Sequence, residues 1–129
     1  MLGMHQDIQE KVYDEIMRVF GDSDRDATME DLNRLVYMEQ VIKETLRRWP
    51  LIAILMRSAT EDLQLIAGKY KIPAGSTIIV PPSIVHLRRD IYPDPYKFDP
   101  DRFAPENMAK RHKYTFMAFG GGPRSCIGQ

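Results

Sequence analysis

The chain carries one cysteine, Cys126, inside Phe119-Gly-Gly-Gly-Pro-Arg-Ser-Cys-Ile-Gly128, a stretch that also holds four of its eight glycines. A phosphate-cradling loop would need Lys followed by Ser or Thr after its last glycine. Gly120-Gly121-Gly122 leads instead to Pro123-Arg124, which excludes that chemistry. A structural zinc site needs about four Cys or His ligands at short spacing, and one cysteine with three scattered histidines does not supply them. A cysteine nucleophile needs a base, and His86 or His112 could serve by folding back. A buried, inert thiol near a turn is the plainest alternative. A further reading uses every special residue: a thiolate on iron. Glycines let the backbone take positive φ and approach a flat macrocycle closely. Loop N–H groups can tune the sulfur, and a helix starting just past it would lower the thiol pKa. Arg124 can make a forked contact to an acidic group on the cofactor rim, and Phe119 can shield the sulfur from water.

The elements that must position this loop follow from pattern. Ile8, Val12, Ile16, Val19 and Phe20 share a helical face, and Gly21 with the polar run Asp22–Asp26 ends it. Thr28 and Asp31 have capping-box spacing. They open a second predicted helix that carries Leu32, Leu35, Met38, Val41, Ile42 and Leu46 and closes at Trp49-Pro50. The apolar run Leu51–Met56 and short segments at Leu63–Ile66, Tyr70–Ile72 and Thr77–Val80, separated by Gly68 and Pro73-Ala74-Gly75, predict a small β-meander. Ile84–Arg89 has room for one or two helical turns. Six of the nine prolines fall between Pro81 and Pro105, which excludes a continuous helix or central strand there. The interleaved Ile91, Tyr92, Tyr96, Phe98 and Phe103 predict an ordered wrap with those side chains buried. The expected class is mainly α with a small β-meander (α+β).

Composition sets outer bounds. The 129 residues suffice for one modest core. Eighteen basic residues balance 18 acidic ones, so nothing asks for nucleic acid. A single cysteine excludes an intrachain disulfide framework and favours a reducing, cytosol-facing compartment. No apolar run approaches the roughly 20 residues of a membrane span, and Met1–Lys11 lacks the layout of a signal peptide. Both ends read as unfinished.

Phe119, Gly122, Arg124, Cys126 and Gly128 together resemble the haem-binding signature of the cytochrome P450 family, F-x-x-G-x-R-x-C-x-G, at every fixed position. The chain holds two Glu-x-x-Arg pairs, Glu15/Arg18 and Glu44/Arg47. Each is by default a solvated surface pair worth a few tenths of a kcal/mol, but only the second continues into Arg48-Trp49-Pro50, resembling the family's ETLR-x-x-P helix end. Pro100-Asp101-Arg102-Phe103 resembles its P-x-R-F element. The resemblance implies a buried structural charge cluster of Glu44, Arg47 and Arg102. It also implies Arg57 at a haem propionate, with Leu51, Ile52, Ala53 and Ile54 as pocket wall; the alternative for that run is an ordinary core strand. His86 precedes Pro93-Asp94-Pro95 at the family distance, but the usual H-R-D-P reads His86-Leu87-Arg88-Arg89, so a structural role is expected. Ala118 stands where many relatives carry proline. Lys110, Arg111 and Lys113 read as a solvated face rather than a docking patch.

The resemblance covers residues 1–129 as a partial P450 domain ending at the haem-ligand loop, without the oxygen-activating helix or a membrane anchor. Its texture is most like the insect fatty-acid-hydroxylase branch. It implies a parent monooxygenase with Cys126 ligating haem b (iron protoporphyrin IX). Such a parent draws electrons from an NADPH-cytochrome reductase or similar donor. It inserts one oxygen atom of O2 into an apolar small molecule at the cytosolic face of the endoplasmic reticulum membrane, and the isolated fragment is expected to be inactive. Competing expectations are a reductase-independent peroxide isomerase or dehydratase of the same fold, a non-catalytic truncated or interaction protein, and, remotely, a cysteine hydrolase.

Overall fold

The computed structural model describes residues 1–128. A 3-10 turn at Leu2–Met4 leads into α1, Gln6–Phe20, whose Ile8 and Val12 lie one turn apart and are buried. Gly21, at φ 59°, ends α1 in a conformation that costs glycine little. Thr28 then caps α2, Met29–Arg34. Its hydroxyl accepts the Asp31 amide while the Asp31 carboxylate accepts the Thr28 amide at 3.0 Å. Arg25 donates to both Asp31 oxygens, at 2.6 and 2.8 Å. Arg25, followed by Thr28, holds the Asp31 carboxyl well below the usual carboxylate range.

The second predicted helix is two. It breaks at Leu35, φ −85° and ψ 62°, and resumes as α3, Val36–Arg48. The break is stabilised from outside: Glu15 of α1 is buried and accepts the amides of Tyr37 and Met38 at 2.7 and 2.8 Å. Those N–H groups lie in the first turn of α3 and have no partner within the helix. Glu15 is therefore no member of a solvated pair with Arg18, whose Nε donates to the Asp14 carbonyl instead. Leu32 of α2 and Ile42 of α3, expected on the buried face, are half exposed. Ile8, Val12, Val41 and Phe98 form the core between α1, α3 and the proline-rich wrap.

The β region is nested rather than a meander. β1, Leu55–Ser58, pairs antiparallel with β4, Thr77–Val80, from Leu55 opposite Val80 to Ser58 opposite Thr77. β2, Leu63–Leu65, pairs with β3, Tyr70–Ile72, as a separate hairpin. The inner hairpin turns through Ile66, Ala67 and Gly68, all at positive φ. α4, Pro82–Val85, starts the wrap, and a 3-10 turn at Pro100–Phe103 and α5, Pro105–Met108, close it. Tyr92, Phe98 and Phe103 are buried as expected, but Tyr96 is exposed beneath the Arg48 guanidinium, 5.3 Å from its ring centroid. The chain is thus mainly helical with small antiparallel sheets. Among the described residues, no helix is long and apolar enough to cross a membrane.

Candidate functional site

The site has a buried charged base and an exposed glycine loop. The base forms because Glu44 and Arg47, three residues apart, emerge on the face of α3 that meets the wrap. Both side chains are fully buried. Arg47 Nε and Nη2 donate to the two Glu44 oxygens at 2.6 and 2.8 Å, in forked geometry. The remaining guanidinium capacity goes to backbone: Nη1 to the His86 carbonyl at 2.7 Å and Nη2 to the Pro95 carbonyl at 2.8 Å. Glu44 Oε1 also accepts the Asp99 amide at 2.9 Å. The irregular segment satisfies only part of its backbone internally, and the buried ion pair takes the His86 and Pro95 carbonyls and the Asp99 amide.

Arg102 enters from the 3-10 turn. Its Nε lies 3.7 Å from Glu44 Oε1 without a hydrogen bond, and Nη2 donates to the Asp94 carbonyl at 2.9 Å. Electrostatic attraction therefore holds Arg102 to the cluster, while its directional bond goes to the wrap. Arg111, read from sequence as part of a solvated basic face, is instead half-buried. Its guanidinium lies 4.7 Å from the Tyr92 ring centroid, which Arg47 also approaches at 5.1 Å, and donates to the Arg102 carbonyl. Burial pushes its pKa down. Its aromatic neighbour, Tyr92, lies far upstream of Arg111 in the chain and in no periodic register with it, so no sequence signal announced the contact.

His86 and Tyr92 connect the base to the loop. The buried His86 ring accepts the Met117 amide at Nε2, 3.0 Å, and stacks on Phe116 with centroids 5.5 Å apart. Burial, with the Arg47 charge adding to it, lowers the His86 pKa to about 4, so the ring is neutral and able to accept near pH 7. The Tyr92 hydroxyl donates to the Thr115 carbonyl at 3.2 Å.

The loop itself turns through Gly120 at φ 78° and Gly122 at φ 76°, positions that a side chain would strain. The Met117 carbonyl accepts the Gly120 amide at 3.1 Å, and the Phe119 carbonyl accepts the Cys126 amide at 2.9 Å. Gly122–Arg124 form a 3-10 turn, and Cys126 is exposed. A cleft of about 230 Å³ lies beside the loop, lined by Leu55 and Arg57 of β1, Val80, Tyr114, Met117, Gly121 and Gly122. Sequence-distant Arg57 is thereby brought to the loop, and its Nη1 is held by the Met56 carbonyl at 2.8 Å. Arg124 and Gly128 are exposed and Phe119 is half-buried. Leu51, Ile52, Ala53 and Ile54 precede β1 and are exposed, Leu51 at 89%, so the run is not a core strand. The accepting nitrogens of His86 and His112 are taken by backbone amides, of Met117 and Tyr114, which leaves neither free to serve Cys126 as a base.

The family model for cytochrome P450 matches residues 1–129. The chain belongs to the cytochrome P450 family. Among its P450 relatives, it is 50% identical over 130 residues to Cytochrome P450 4g1 of Drosophila melanogaster, covering 100% of the chain and 23% of that protein. It is 44% identical over 128 residues to Cytochrome P450 4c21 of Blattella germanica, with 99% and 25% covered. It is 45% identical over 129 residues to Cytochrome P450 4V2 of Homo sapiens, with 100% and 24% covered. The chain spans about a quarter of the length of these P450 relatives. Its helices and small sheets are part of the P450 fold.

Proposed function

We propose that the protein carrying this chain is a haem-thiolate monooxygenase and that Cys126 would hold its iron. The observation that carries the reading is the Cys126 loop: an exposed thiol on a backbone turned by two left-handed glycines, next to a cleft edged by Arg57. The residues fit haem b. Gly120 and Gly122 leave space for a flat ring to approach, Arg57 and Arg124 offer forked donors to its carboxylates, and the exposed apolar Leu51, Ile52 and Ile54 suit an apolar substrate wall with Ala53. Thiolate ligation supplies the electron donation that favours O–O bond cleavage in haem chemistry.

The chain's own residues act by holding. Glu44 and Arg47 fix the wrap, and Arg102 adds its charge to theirs. Cys126 presents its sulfur on the loop face, and the Phe119 carbonyl orients the Cys126 backbone. The reaction is insertion of one oxygen atom into an apolar small molecule, with electrons from an NADPH-cytochrome reductase or similar donor, at the cytosolic face of the endoplasmic reticulum membrane. The 50% identity to a Drosophila melanogaster relative supports an insect branch of the family.

The test is the absorption of the reduced, carbon monoxide-treated full-length protein. A red-shifted Soret band that disappears in Cys126→Ser supports the reading. An unshifted band in the unaltered protein overturns it.

A further inference from the structure

We propose that His86, assisted by Tyr92, is a positioning residue that clamps Thr115–Met117 and so sets the height of the Cys126 loop over the buried charge pair. Three consecutive residues are gripped in three different ways. The Thr115 carbonyl accepts the Tyr92 hydroxyl at 3.2 Å, and the Met117 amide donates to His86 Nε2 at 3.0 Å. Between them, the Phe116 ring stacks on His86 and meets the edge of Phe103 at 4.9 Å.

A continuous relay of bonds results. Arg47 Nη1 donates to the His86 carbonyl, the His86 ring accepts from Met117, the Met117 carbonyl accepts from Gly120, and the Phe119 carbonyl accepts from Cys126. His86 is the only residue in this relay that bonds through backbone on one side and side chain on the other. A shift of α3 or the wrap is therefore passed to the thiol rather than absorbed.

Packing alone does not account for a histidine here. The ring is fully buried, and its Nδ1 has no partner among the described residues. An orphaned polar atom in a core is a cost that phenylalanine would avoid while keeping the stack on Phe116. The nitrogen that does find a partner, Nε2, is the one that reaches the loop.

The geometry stands without cofactor; its consequence for the thiolate rests on Cys126 being the haem ligand. The test uses the full-length protein with His86→Phe, which keeps a ring, and His86→Gln, which restores an acceptor near the Nε2 position. Glu15→Ala serves as a destabilised control remote from the loop. In apoprotein, amide exchange at Met117 is expected to rise about tenfold in His86→Phe, the change that a bond of ordinary strength produces, and to stay near the unaltered rate in His86→Gln. With haem bound, His86→Phe is expected to move most of the carbon monoxide-bound ferrous absorption from the thiolate band to the unshifted band. His86→Gln keeps it, and Tyr92→Phe moves a smaller fraction. Unchanged Met117 exchange in His86→Phe overturns the clamp even if the protein takes no thiolate-bound haem. Equal loss of the thiolate band in His86→Phe, His86→Gln and Glu15→Ala also overturns it, since that pattern marks general destabilisation.

Discussion

Glu15 on α1 closes the first turn of α3 through Met38, whose amide it accepts at 2.8 Å across 23 residues of sequence. Its other oxygen takes Tyr37. A buried charged acceptor serves two half-buried amides, so Glu15→Ala is expected to destabilise the protein by about 2 kcal/mol. Arg18→Ala, at an exposed position, should stay within about 0.5 kcal/mol. Denaturant midpoints of the two variants give the comparison, and equal values would mean that the α1–α3 bond contributes nothing.

The two arginines of the charge cluster should be unequal. Arg47 feeds both Glu44 oxygens and two wrap carbonyls, all buried. Arg47→Ala strands the Glu44 charge and is expected to cost about 3–5 kcal/mol. Arg47→Lys should recover little, since an ammonium cannot span the fork. Arg102→Ala, which removes one hydrogen bond and an attraction at 3.7 Å, is expected to cost about 1–2 kcal/mol. Thermal unfolding of the three variants reads the order directly.

Acid should act through His86. The folded ring protonates near 4 against an ordinary 6.5, so the unfolded chain binds more protons between those values. The neutral ring's contribution is whole above about pH 6.5 and drains away as pH falls towards 4, at up to about 1.4 kcal/mol per unit. Arg47 is the charged group that opposes protonation, and Phe116 and Met117 close the other side. Stability measured from pH 7 to pH 4 should fall less steeply in His86→Gln than in the unaltered protein; parallel curves would remove His86 as the cause.

Arg57 and Arg124 should share the work of holding haem. Each offers a charge-assisted contact, so Arg57→Ala or Arg124→Ala is expected to weaken haem retention about tenfold, with little change in the thermal midpoint because both side chains are exposed. Haem transfer to an acceptor globin measures this. Retention unaltered in both variants would place the cofactor rim elsewhere.

Local signals in the sequence carried far and non-local ones did not. The Thr28–Asp31 box, the stop at Gly21, and strands at Tyr70–Ile72 and Thr77–Val80 were readable because each is decided within a few residues. The break at Leu35 has no proline or glycine to announce it; its stabilising partner is a carboxylate on another helix. Two Glu-x-x-Arg pairs looked alike by spacing, and what separates them is which amides or carbonyls lie opposite. Pairing order was also hidden, since short strands joined by turns satisfy a meander and a nested arrangement equally until register brings Leu55 to Val80. The glycine loop was legible as a loop, but the grip on it by His86 and Tyr92 depends on three-dimensional neighbours 31 and 23 residues away.

The nested strands bring Ala59 and Ser76 back together, with the Ala59 amide on the Ser76 carbonyl at 2.9 Å and the Gly75 amide on the Ala59 carbonyl at 2.8 Å. Everything from residue 60 to 74 is therefore a detour that leaves and returns at one point. β1, which carries Arg57, is anchored by β4 and not by the inner hairpin. Length changes in the detour are absorbed locally, at a closure cost that grows only slowly with loop size. This is the place where the molecule can accept a graft, an epitope or a fluorophore while the neighbourhood of the thiol stays as it was.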